Sequence, residues 1–359
     1  VDGLVSLAAR GLAALGSTAA ADVPFTYRGA AGASGPSAKP EGASLRYAAI
    51  AALGVGRLTE GSQRAILGGR TAAEFALECQ AAARTWAEPG ATALALWAAA
   101  EVAGRPDNSL FEDLDDALAG PLDTVVAAWI LIAAIAAGPD AERLRRRAAD
   151  RLLEHRGSAG IFPHRLPPRT GVRGHVGSFA DQVYPVQALA RLAVATGEDG
   201  HLRTAERTAA RIVELQGTAG QWWWHYDHRD GSVVERFPVY SVHQHGMAPM
   251  VLLELAEAGG ADHSQAVASG VSWLSTHPEC VEPLVAPELG LVWRKVGRRE
   301  PGKASRGLAA ATTAVRPGLH APGIDRLLPP GRVDYECRPY ELGWLLYAWG
   351  HDRTETGND

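Results

Sequence analysis

TVVAAWILIAAIAA, residues Thr124–Ala137, is followed after Gly138-Pro139-Asp140 by AERLRRRAADRLLEH, residues Ala141–His155. The first segment is apolar all round and falls short of the roughly 20 residues that cross a bilayer, which predicts a helix buried in a protein interior. The second carries its leucines and alanines on one stripe and its arginines around the rest, which predicts a helix with a solvated outer face. An outer helix and an inner helix as neighbours make a hairpin, and hairpins that recur along a chain usually stack into a repeat architecture.

The same alternation runs through the chain. Amphipathic segments lie near Leu4–Leu15, Thr71–Trp86, Leu110–Leu118, Ala141–His155, Leu202–Gln216 and Ser264–Ser275. Apolar segments lie near Leu45–Leu58, Ala91–Val102, Thr124–Ala137, Gln182–Thr196, Gly246–Ala258 and Glu341–Trp349. Six outer and six inner helices, alternating in sequence, predict an all-α fold: a single (α/α)6 toroid spanning 1–359. An open solenoid or two bundles would use the same pairs, and the count of six favours closure. Long connections at 17–43, 157–179, 217–239 and 276–337 exceed the length of ordinary loops. In a toroid the outer-to-inner connections gather at one mouth, where the functional site is expected.

Composition narrows the function. The chain has 359 residues, 47% hydrophobic and 21% charged, with a net charge of −5 and no dense basic run. These values fit a well-buried globular core and speak against a nucleic-acid partner. Cys79, Cys280 and Cys337 are widely spaced with no C-x-x-C pair, as reduced thiols rather than a disulfide framework would be. VDGLVSLAARGLAALG at the start carries Asp2 and Arg10 within its apolar face, unlike a signal peptide, and the expected location is cytoplasmic. There is no G-x-S-x-G elbow, Walker loop or G-x-G-x-x-G after a strand.

Q-G-T-A-G-Q-W, Gln216 to Trp222, matches the Q-x-x-x-G-x-W repeat of the terpenoid cyclase and prenyltransferase toroids. CQAAARTW, Cys79 to Trp86, resembles a degenerate copy, and the following ATALALWAA resembles an inner-helix start of that superfamily. Similar repeats occur in sugar-processing (α/α)6 epimerases, glycoside hydrolases and polysaccharide lyases. The resemblance implies the toroid, with Gln216 and Trp222 tying an outer helix to the next turn. Class II cyclases also place a D-x-D-D acid at an inner-helix start. Asp113-Leu114-Asp115-Asp116 has that pattern, but it lies in an outer segment and lacks the following Thr-Ala. Glu88 or Asp123 stands where the resemblance would put the acid.

The densest aromatic and polar stretch is GQWWWHYDHRDGSVVERFPVYSVHQHGMAPM, Gly220 to Met250. Trp223, Trp224 and Tyr226 offer flat faces on which a sugar ring stacks, and Asp230-Gly231 marks a hairpin turn. Tyr240, His243, Gln244 and His245 lead into an inner helix. Tyr240, His243 and His245 are proton-transfer candidates, and Gln244 a binding candidate. GSFADQVYPVQAL, Gly177 to Leu189, puts Asp181, Gln182, Tyr184 and Gln187 on an apolar helix, with Asp181 either an N-cap or catalytic. Before it, His164, Arg165, Arg169, Arg173 and His175 form a basic loop that either faces an anionic substrate or is solvated.

VDYECRPYELGWLLYAW, Val333 to Trp349, adds Arg338 as a clamp for a carboxylate or phosphate, Glu336 and Glu341 as acid/base candidates, and Tyr340 beside them. Arg46-Tyr47 and Asp123 complete a ring of polar inner-helix starts. H-Q-H and His225/His228 lack the carboxylate spacing of a zinc site, so neither metal nor cofactor is expected. The expected function is a carbohydrate-active enzyme, an epimerase, lyase or hydrolase working by general acid/base catalysis on a glycan or uronate. The alternatives are a terpenoid cyclase-like enzyme acting on an isoprenoid, and a non-catalytic binding toroid.

Overall fold

The computed structural model describes residues 1–14, 19–32 and 35–350. Leu15 at the end of the first expected helix, positions 17, 18, 33 and 34 of the first connection, and the tail 351–359 lie outside the described residues.

Helices alternate as the burial pattern demands. Outer α1 (Asp2–Ala13) precedes inner α2 (Leu45–Val55), and after a short α3 (Glu60–Ile66) come outer α4 (Ala72–Trp86) and inner α5 (Pro89–Ala103). Outer α6 (Leu110–Ala119), inner α7 (Thr124–Ala137), outer α8 (Glu142–Glu154), inner α9 (Ala180–Thr196) and outer α10 (Asp199–Glu214) follow. Inner α11 (Ala248–Glu257) is entered through a π-turn at His243–Met247, and outer α12 (Ser264–Thr276) is separated from inner α15 (Pro339–Trp349) by α13 (Ala304–Val315) and α14 (Ile324–Leu327). α15 packs on both α2 and α11, so the inner ring α2, α5, α7, α9, α11, α15 closes on itself.

Local chemistry sets the ends. The Thr71 side chain and Glu74 form a reciprocal capping box at α4. Glu88 caps α5 by accepting from the Gly90 and Ala91 amides, with Pro89 at the first helical position, where its missing N–H is harmless. Pro249 cannot donate to the His245 carbonyl one turn earlier. The chain widens into the π-turn there, and that carbonyl accepts instead from Trp349 Nε1 at 2.8 Å.

Inner helices approach closely where glycines meet. A Cβ on Gly54 of α2 would lie 2.1 Å from the Gly343 carbonyl oxygen of α15. Gly54→Ala is therefore expected to force the ring apart at its closing seam and cost about 1–3 kcal/mol of stability, read as a lower midpoint in chemical denaturation.

The connections are less irregular than an all-helical reading predicts, because short strands pair across them. Thr26–Gly32 and Gly35–Glu41 form a hairpin against which Glu336–Cys337 pairs, tying the first connection to the last. Leu122–Asp123 pairs with Arg165–Leu166, Val176–Ser178 with His225–Asp227, and Val239–Tyr240 with Lys295–Arg298. Asp230-Gly231 turns the chain between His225–Asp227 and Val233–Glu235 as expected, with Gly231 at φ 75°.

A hidden repeat supports two of these connections. Gly157-Ser-Ala-Gly160 and Gly217-Thr-Ala-Gly220 make the same turn: Gly157 donates to the Ile161 carbonyl (3.0 Å) and Gly217 to that of Gln221 (2.9 Å). In the second copy Gln216 Nε2 also donates to the carbonyls of Gly220 (3.0 Å) and Ala266 (2.9 Å), and Trp222 is fully buried.

At the C-terminal ends of the inner helices the axis is plugged. Arg191 of α9 donates to Glu254 of α11 (2.9 Å) and Glu101 of α5 (2.7 Å), and Tyr347 of α15 donates to Glu101 (2.7 Å). Arg57, beyond α2, reaches the same Glu101 at 3.2 Å.

Candidate active site

The N-terminal ends of the inner helices face a pocket of about 510 Å³ at the opposite end of the axis. Helical spacing decides which side chains line it: Arg46 and Ile50, Val125 and Trp129, Ala180 and Tyr184, and His243 and Met247 are each one turn apart and share a face. The walls are largely aromatic. Phe25 stacks on Tyr47 (5.5 Å), Tyr47 leans at a tilt against Tyr340 (4.8 Å), and Trp129 meets Tyr184 edge-on (5.2 Å). Trp224 lies 5.7 Å from Tyr240, whose ring is 5.0 Å from that of His243.

Charges in this pocket come as neutralised sets. Glu88 is the one carboxylate among the described lining residues, and both its oxygens are taken by Arg46 and the α5 amides. Arg294 is 3.1 Å from Glu336 and 3.4 Å from Glu341 and sits over the Tyr240 ring, as does Lys295. Burial raises the Tyr240 hydroxyl's pKa, with Arg294 opposing, so the hydroxyl holds its proton at neutral pH. Burial and the nearby Arg294 take His243 down to about 3, which leaves a neutral ring whose Nδ1 has no protein partner.

Beyond Ser178 and Trp224, which line both spaces, opens an annex of about 570 Å³. His164 stands in its wall with Nδ1 3.1 Å from Asp181 Oδ2. Asp181 is fully buried and also accepts from the Ser178 amide and hydroxyl, both at 2.7 Å. The hydrogen bond and charge of Asp181 raise the His164 pKa above its ordinary value. With Nδ1 occupied by the carboxylate, the other nitrogen of the half-exposed ring is left for chemistry.

The structure brings Tyr240, His243, Trp224, Tyr184, Tyr340, Arg46 and Tyr47 to one pocket, as expected from the sequence. It moves several other candidates away. His245, two residues past His243, is turned to the opposite side of its helix and fully buried, with neither ring nitrogen bonded. Tyr226 is also fully buried, and Trp223 packs on Phe237 with Arg236 over its ring, away from both spaces.

Gln182 and Gln244 face turns rather than ligand: their side-chain oxygens accept from the Phe162 and Trp222 amides at 2.7 and 3.3 Å. Asp181 is not an N-cap, since Phe179 occupies that position and makes no side-chain cap. Pro185 lies inside α9. Asp123 pairs with Arg165 at 3.1 Å at the rim. Glu341 lies fully buried beneath the pocket wall, where burial raises it to about 8. Arg338 is held by Glu336 (2.8 Å) and Tyr47 (3.1 Å), so its fork is not free as a clamp. Asp115 of the D-L-D-D run pairs with Arg143 on the outer ring, far from any inner-helix start.

Sequence reading missed Arg294, Trp129 and the pairing of His164 with Asp181. Trp129 was detectable from its helical spacing to the inner-helix start. Arg294 and His164 sit in connections where no periodicity points to a site. Among the described residues no group of three or more His, Cys, Asp or Glu is placed to hold a metal, and no helix is long and apolar enough to cross a membrane.

No family model matches the chain, and neither does any curated protein sequence. Solved structures do. An unsaturated glucuronyl hydrolase specific for heparin is similar at 13% identity over 97% of this chain and 96% of its own, with a TM-score of 0.58. The unsaturated glucuronyl hydrolase from Bacillus sp. GL1, responsible for degradation of glycosaminoglycan, is similar at 15% identity over 99% of this chain and 96% of its own, with a TM-score of 0.52. A family 88 glycosyl hydrolase from Bacteroides vulgatus has a TM-score of 0.52 at 10% identity, covering 86% of this chain and 93% of its own. At these identities the likeness is one of fold, and the fold is the (α/α)6 toroid.

Proposed function

We propose that the chain is a carbohydrate-active enzyme that moves protons on a sugar held in the mouth pocket, by epimerisation or β-elimination. The observation that carries this reading is the pocket's inventory. Aromatic walls suit a sugar ring, and Tyr240 in the pocket and His164 in the wall of the adjoining annex supply proton-transfer groups. The two opposed free carboxylates of a standard glycosidase are missing from the described lining. The similarity in fold to glucuronyl hydrolases agrees with a sugar as substrate.

A base takes the ring C–H proton beside a carbonyl or carboxylate. In epimerisation a proton returns to the same carbon from the other face, and in elimination a proton goes to the departing glycosidic oxygen. His164, held by Asp181, and Tyr240, protonated beneath Arg294, are suited to the two roles. Asp181 does not touch the pocket and acts through His164 as a positioning residue.

The test is incubation with neutral and uronic oligosaccharides in D2O, followed by NMR. Deuterium at a ring carbon, or a new unsaturated terminus, supports the reading. Release of reducing ends alone would assign hydrolysis instead. Stabilisation by prenyl diphosphates with no response to any glycan would overturn the reading in favour of an isoprenoid enzyme.

Asp181→Asn provides a second check. The limb of kcat/KM set by His164 is expected above pH 6.5, because Asp181 raises that group. Removing the charge lowers the limb, whereas a merely structural aspartate would leave its position unchanged.

A further inference from the structure

Every arginine of the central pocket is answered by a carboxylate, and in the annex Arg165 pairs with Asp123, but Arg173 and Arg306 make no ion pair among the described residues. Arg306 of α13 lies over Trp224 at 3.9 Å, and its Nε is buried without a partner. The nearest carboxylates are engaged elsewhere: Glu300 accepts from the Ser305 amide and hydroxyl, and Glu235 from Arg298. Arg173, from the facing loop, lines the same space and makes no ion pair among the described residues. Trp224 in turn stacks on His225 at 3.7 Å, a ring that is 5% exposed and whose Nδ1 has no partner.

The electrostatics agree. Burial lowers the Arg306 pKa, Tyr240 opposes, and Arg173 lowers it further. Burial, then Arg173 and Arg306, drive His225 well below its ordinary value. Holding like charges together in a partly buried cavity costs free energy that a bound anion returns. No carboxylate lines the annex to play that part.

We infer that the annex is an oxyanion subsite in which Arg173 and Arg306 hold a sulfate, phosphate or carboxylate substituent of the substrate whose ring occupies the adjoining aromatic pocket. The inference rests on the carbohydrate reading for the identity of that ring, but not for the site itself. It places the acidic group beside the reacting sugar, across Trp224, rather than on Arg338.

Isothermal titration of the full chain with inorganic sulfate, inorganic phosphate and glucuronate at fixed ionic strength tests it. At least one probe is expected to bind, and Arg306→Gln and Arg173→Gln are each expected to weaken it by about tenfold or more, as loss of a charge-assisted hydrogen bond does. Exposed Arg332→Gln, outside the annex, is expected to leave the affinity unchanged. Equal affinities in all variants, or no binding of any probe, would overturn the site. The probe that binds best tells sulfated, phosphorylated and uronic substrates apart. If an anion binds through these arginines while no glycan is turned over, the carbohydrate reading fails and the subsite stands. If glycans are turned over and Arg306→Gln keeps the wild-type KM for acidic and neutral substrates alike, the subsite fails and the reading stands.

Discussion

Tyr240→Phe is expected to lower kcat by about 10²- to 10⁴-fold, the usual contribution of a positioned acid or base, while leaving the denaturation midpoint close to wild type. The substitution keeps the ring that Trp224 and His243 pack against and removes one oxygen. That oxygen matters because of what surrounds it. Arg294 and Lys295 lie over the ring at 5.1 and 5.6 Å, so charge developing on the phenolic oxygen as it gives up its proton is stabilised in place. Arg294 in turn stays fixed because Arg294 and Arg338 hold Glu336 ionised, bringing it down to about 2 against the upward push of burial. The measurement is kcat and KM on whichever glycan the D2O screen identifies. Wild-type kcat in the Phe variant would return Tyr240 to a wall residue and leave His164 as the sole proton-transfer group of the two.

Glu341→Gln is expected to flatten the pH dependence of stability across the neutral range. Glu341 is fully buried with no hydrogen bond to either oxygen, and burial raises its pKa from 4.5 to about 8. In the unfolded chain the group ionises near its ordinary value. Between about pH 4.5 and 8 the folded state therefore binds a proton that the unfolded state has lost, so stability falls as pH rises through that window. The slope contributed by one such group is about 1.4 kcal/mol per pH unit, several kcal/mol across the window. Glu341→Gln removes this contribution. Urea denaturation of both proteins at intervals from pH 5 to 8 is the check, and parallel curves would mean that Glu341 is ionised in the folded chain, paired with Arg294.

The rings were legible because burial is periodic. Thr124–Ala137 has no polar face and α8 has one, and no tertiary knowledge is needed to see which lies inside. The mouth was harder to read. Segments such as Leu122–Asp123 and Arg165–Leu166 are two residues long and are held by backbone pairing to distant partners, which leaves no pattern within either segment. His164 lay in plain view as one of five basic loop residues, but its partner Asp181 is found only once the fold brings them together. Gln182 and Gln244 misled for the opposite reason. A polar side chain on an apolar helix needs a partner, and here the partner is a turn amide from the preceding connection rather than a ligand. His245 was included with His243 by proximity in sequence, although a helix turns residues two apart to opposite sides.

The ionic plug of Arg191, Glu101, Glu254 and Tyr347 makes the toroid a cup rather than a ring. With its base sealed, nothing can thread through the axis, and whatever enters at the mouth must leave by the same opening. On the carbohydrate reading, substrate and product share the mouth as their one route in and out.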